Sequence, residues 1–138
     1  MSLLILVFSL CLNTSSAVAD SVIVSMDVEE LSFNKNFLLA VFSMRVTRWP
    51  DGRPIKVFVL PDRHPVHHRF VKQHLQIFPY QLRNNWDRQV YTGTGEAPVQ
   101  VDDIDEMYIK VSQTPGSIGY LSAPKELSLK EVRSVDEY

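Results

Sequence analysis

Hydrophobic and polar positions change period along this chain, and the change is sharpest between Phe37 and Leu60. Phe37, Leu38, Val41 and Phe42 recur at helical spacing, which predicts a helix over Asn34 to Met44 with Ser32 as its N-cap. Ile55 to Leu60 is instead a β-branched run of strand length, interrupted by Lys56, whose amine reads as reaching water near the strand's edge. Between them stands Trp49-Pro50-Asp51-Gly52. It combines a preset φ, a side chain that bonds its own backbone and a residue tolerant of positive φ, so the chain must reverse there. A helix turned into a buried strand is a unit of an α/β domain.

The pattern extends in both directions. Val22-Ile23-Val24 is wholly apolar, as expected of a strand buried on both faces. His64 to Ile77 returns to helical spacing through Val66, Phe70, Leu75 and Ile77, with Pro61 and Pro65 bracketing its start. Phe78-Pro79 breaks that helix, and Pro79 opens another in which Leu82, Trp86 and Val90 form a core-facing stripe. Val99 and Val101 predict a brief strand, Ile104 to Val111 a helix, Ile118 to Leu121 a strand, and Glu131 to Val135 a last strand. Gly119 within a strand marks a close approach to the backbone. This order of elements implies helices on the faces of a mixed sheet.

Several of these residues also carry a family resemblance. The segment from Phe37 to Leu60 resembles the L-x-x-I-F-x-G-x-x-x-x-W-x-D-G-x-x-I stretch of the phosphate-type periplasmic solute-binding proteins. Thr114-Pro115-Gly116-Ser117-Ile118-Gly119-Tyr120 resembles their T-P-G-x-I-G-Y segment. The resemblance implies an α/β fold, a single periplasmic-binding-protein-like lobe with a mixed sheet flanked by helices, over residues 20–138. It also implies where a ligand would sit. Leu60 to Val66 stands where that family has R-x-D-G-S-G-T, whose Arg, Ser and Thr hold the phosphate oxygens. Asp62 keeps the acid, while Leu60, His64 and Val66 stand at the Arg, Ser and Thr positions. The resemblance therefore implies a retained scaffold without tight phosphate binding.

Composition adds compartment and excludes some partners. At 138 residues the chain has room for one domain. Leu3 to Leu12 is a short apolar core followed by polar Asn13 to Ser16 and Ala17-Val18-Ala19, which predicts a leader over residues 1–19 cleaved after Ala19. A membrane span needs about 20 apolar residues, so no stable span is expected after cleavage. Cleavage would remove Cys11, the one cysteine, and leave a periplasmic domain without disulfides. A net charge of −2 with no Lys/Arg run argues against nucleic acid as a partner.

Loops between strand ends and helix starts attract anions, which makes Asp62, Arg63 and His64 the ligand-binding candidates. His67 and the loop Thr92-Gly93-Thr94-Gly95 are expected as their neighbours, with hydrogen bonding as the role. His64, His67 and His74 share a helical stripe, with His68 beside it. Imidazoles so placed can hold zinc or copper, or form a solvated, partly basic face. No cysteine supports them and the spacing misses the i, i+4 pair of the zinc helix, so no metal and no cofactor is assigned. Asp102, Asp103 and Asp105 read as helix-start acids rather than metal ligands. Trp49 and Trp86 read as core. Nucleophile elbow, Walker loop and zinc-protease helix are all absent from the sequence, which points away from an enzyme. The expectation is an exported, non-catalytic domain that binds a small oxyanion weakly, or a periplasmic or membrane-transport partner protein. The alternative is an assembly protein on the same lobe with no small-molecule ligand.

Overall fold

The structure, a computed structural model, describes residues 20–29, 32–122 and 132–137. The expected leader, residues 1–19, lies outside them. The described strands are β1 (Asp20–Ser25), β2 (Ser32–Phe33), β3 (Lys56–Val59), β4 (Val99–Gln100), β5 (Ser117–Ser122) and β6 (Val132–Glu137). They form one mixed sheet in the order β2-β6-β1-β5-β3-β4. β1 runs antiparallel to both β5 and β6, whereas β3 is parallel to β5 and β4, and β2 is parallel to β6. All five strands predicted from the sequence are present. β2 was not predicted, since two residues carry no period.

The helices are α1 (Lys35–Phe42), α2 (Pro65–Phe70), α3 (Pro79–Thr92) and α4 (Ile104–Gln113). Sheet geometry assigns them to opposite faces. Successive residues of a strand point to opposite sides, and on β5 the neighbours Gly119 and Tyr120 meet different helices. A Cβ on Gly119 would lie 2.5 Å from Met107 Sδ and 3.0 Å from Val111 Cγ2, so α4 is what approaches this backbone. The Tyr120 ring packs instead on Phe42 of α1 and Phe70 of α2. Both faces of the sheet are thus covered, and Val22, Ile23 and Val24 of β1 are all buried.

The reversal at Trp49–Gly52 is as expected. Gly52 N–H donates to Trp49 O at 2.8 Å, Trp49 N–H donates to Arg53 O at 2.8 Å, and Gly52 has φ 91°. Trp49 is buried, and its indole N–H donates to Gly116 O at 2.9 Å, anchoring the turn to the start of β5. Lys56 reaches solvent.

Four local expectations are corrected. Asn34, not Ser32, caps α1: its Oδ1 accepts the Phe37 N–H at 2.8 Å, because Ser32 is drawn into β2 and Asn34 becomes the last extended residue. α1 also ends at Phe42, and Met44 turns left-handed at φ 63°. The helix expected over His64 to Ile77 is α2 followed by a wider, π-helical turn, Val71–Leu75, closed by left-handed Gln76. That turn lets Phe70, Val71 and Leu75 all face the core. In α3, Leu82 and Trp86 are buried as expected but Val90 is 54% exposed, because the apolar stripe outlasts the core beneath it. The acids before α4 do cap it: Asp103 Oδ1 accepts the Glu106 N–H and Glu106 Oε2 accepts the Asp102 N–H, both at 2.8 Å.

Candidate functional site

The loop from Leu60 to Pro65 leaves the end of β3 and feeds α2, the position at which open α/β sheets take ligands. Beneath it lies a buried polar relay. The Tyr120 hydroxyl accepts the Leu60 N–H at 2.9 Å and lies 2.5 Å from His67 Nδ1. A hydroxyl has one hydrogen and two lone pairs, so its bond with Nδ1 fits either tautomer of the neutral imidazole. Nε2 is buried and finds no partner among the described residues. Burial pushes the His67 pKa down to about 4 and pushes that of Tyr120 up.

His67 is therefore core, which corrects the expectation of a solvated histidine stripe. Val66, His67 and Phe70 together form the inward face of α2. His64 is half-buried at the helix start, where its Nδ1 accepts the Val66 N–H at 3.1 Å and its own N–H donates to Pro61 O at 2.9 Å. His68 is exposed, and His74 stacks on Phe70 at 5.3 Å beyond the change of helical pitch. No group of three metal-ligating side chains occurs among the described residues.

Asp62 is held by α3. Its two oxygens accept from Arg83 Nε and Nη2 at 2.7 and 2.8 Å, a bidentate pair that lowers the Asp62 pKa. The same guanidinium lies 5.0 Å over the Trp86 ring and 3.7 Å from Asp87. Helix α2 has little left to offer an anion at its start: Pro65 has no N–H, and the Val66 N–H is occupied by His64. Arg63 is exposed and is the loop's cation without a described hydrogen bond or ion pair.

Thr92, Gly93 and Thr94 are not beside this loop. Thr92 ends α3, Gly93 is its left-handed C-cap at φ 71°, and Thr92 and Thr94 share a hydrogen bond at 2.9 Å. From Arg83 to Thr92 the helix rises roughly 13 Å. Asp62, Arg63, His64 and His67 are thus gathered at one place, and Thr92–Gly95 terminates a helix elsewhere. Sequence reasoning missed Arg83 and the Tyr120 hydroxyl. Arg83 sits among polar residues of an amphipathic helix with no local mark of its role, whereas Tyr120 was visible as the end of the Thr114–Tyr120 motif.

The chain matches no family model and no curated protein sequence. Solved structures do resemble it. A phosphate ABC-type transport receptor from Vibrio cholerae superposes with a TM-score of 0.65 at 10% identity, over 87% of this chain and 46% of that one. PstS from Borrelia burgdorferi gives 0.68 at 16% identity, over 87% and 47%. A putative phosphate ABC transporter substrate-binding protein from Clostridium perfringens, with phosphate bound, gives 0.68 at 14%, over 87% and 45%. The chain spans less than half the length of each. The fold is that of about half of a phosphate-receptor-type substrate-binding protein, as the Thr114–Tyr120 and Trp49–Gly52 segments suggested.

Proposed function

We propose that this chain is an exported, non-catalytic domain of the solute-binding-protein type that works by contact with a partner protein of the envelope or its transport machinery. Small oxyanions are gripped weakly at most. The observation that carries this reading is the bidentate pair of Asp62 with Arg83 at the end of β3. A buried phosphate needs several charge-assisted donors converging on it. Here the best donor of the loop region is turned onto a carboxylate of the same chain, and the first free N–H of α2 is capped by His64.

Weak oxyanion binding is the second reading, favoured by exposed Arg63 beside the capped helix. Titration calorimetry of the full chain with inorganic phosphate tests both. Heats consistent with millimolar affinity or none are expected; micromolar or tighter binding overturns the proposal. Export is checked separately by expressing the full sequence in a Gram-negative host. Recovery from the periplasmic fraction with the mass of residues 20–138 is the expected result, and a cytoplasmic chain of full mass contradicts it.

A further inference from the structure

Two grooves share Arg45 in their walls. One, of about 580 Å³, runs between the segments 44–48, 54–57 and 94–99, and it holds Arg48, Lys56 and the acid Glu96 besides Arg45. The other, of about 350 Å³, lies between α1 and α3 and adds Arg88, Asn84 and Asn85. Four cations and one acid thus line this paired depression on a chain whose net charge is −2. All four cations are exposed. Arg48 donates to the Gly52 carbonyl, and Arg45, Lys56 and Arg88 have no described side-chain partner. Among the other arginines with described side chains, Arg53, Arg69 and Arg83 are each paired with an aspartate, and Arg63 is not.

We infer that this depression docks an acidic, extended segment of a partner polypeptide. The inference rests on the proposal that the domain acts through protein contact, and it names the surface. Two features select this occupant. Arg48 and Lys56 line one groove, Arg88 the other and Arg45 both, so the cations are spread over two grooves. A single small anion would meet one or two of them, whereas a chain bearing several carboxylates can meet all in turn. Half-buried Met44 and Val99, 39% exposed, line the same groove as Arg45, Arg48 and Lys56 and would receive apolar side chains of such a strand.

Fluorescence anisotropy of the full chain with a labelled eight-residue peptide of alternating glutamate and valine tests this. Saturable binding is expected, weakened by added salt and reduced at least tenfold by the surface pair Arg45→Glu with Lys56→Glu. Arg88→Glu should give a smaller loss. Arg63→Ala should leave peptide binding unchanged, which separates this groove from the loop probed by phosphate calorimetry. Equal binding of a lysine–valine peptide, binding indifferent to the groove variants, or none up to about 1 mM overturns the inference. So does displacement of the peptide by equimolar inorganic phosphate, which would make the groove a free-oxyanion site. Tight phosphate binding abolished by Arg63→Ala, with peptide binding intact, would refute the proposed function while supporting the groove.

Discussion

The hydroxyl of Tyr120 on β5 shares a hydrogen bond with Nδ1 of His67 on α2, and the same oxygen accepts the backbone N–H of Leu60. One atom therefore joins the end of β3, the following helix and a central strand inside the core. Tyr120→Phe keeps the ring stacked on Phe70 but leaves a buried N–H and a buried imidazole nitrogen unsatisfied. Each such loss costs about 1–3 kcal/mol. A fall in stability of about 2–4 kcal/mol, read from the urea midpoint, is the expected outcome. An unchanged midpoint would show that the hydroxyl bonds are not made in solution.

Buried neutral His67 makes stability depend on pH in a defined window. Its folded pKa, about 4, lies below the ordinary histidine value of 6.5. The unfolded chain therefore binds the proton first as pH falls. The stabilisation is complete above pH 6.5, declines through the interval to about 4, and is then flat; the sum is roughly 3 kcal/mol. Asp62, lowered by Arg83, acts below its own ordinary value of 3.8 and so leaves this window to the histidine. Urea unfolding at pH 7, 5.5 and 4.5 should show the decline in the native chain. His67→Gln should flatten it; a slope that survives this change would assign it to another group.

Releasing Arg83 should restore some anion binding. In Asp62→Ala the guanidinium loses its bidentate partner beside the exposed Arg63. A single charge-assisted bond contributes about 1.5–3 kcal/mol, so phosphate affinity should tighten about tenfold or more by calorimetry. No tightening would mean that Arg83 points away from any place an anion can occupy.

Two glycines of the Thr114–Tyr120 motif should differ in their tolerance of alanine. At Gly116 a Cβ would stand 2.8 Å from the Pro54 carbonyl oxygen, and φ is 69°, so both backbone clash and left-handed strain oppose it. At Gly119 the nearest atom is the sulfur of Met107, the end of a flexible side chain. Gly119→Ala should cost about 1–3 kcal/mol as overpacking, and Gly116→Ala more. Thermal unfolding of the two variants decides the ranking, and Met107→Ala should relieve the first and leave the second unaltered.

What the sequence by itself determined is what short-range chemistry determines. The β-branched runs at Val22–Val24 and Ile55–Leu60, the Trp49–Gly52 turn, Pro79 at the start of α3 and the acids before α4 act on their immediate neighbours, so their positions were legible residue by residue. The pairing order of the strands was not, because β1 takes both partners from the far end of the chain, β5 and β6. Nor were the roles of the candidate site residues. Whether His67 meets water or Tyr120 depends on which side of α2 the sheet lies. Whether Asp62 offers its carboxylate to a ligand depends on Arg83, 21 residues away on a helix whose own pattern records only which side is apolar. Burial and charge pairing are properties of surfaces brought together by folding, and these the tertiary structure alone decided.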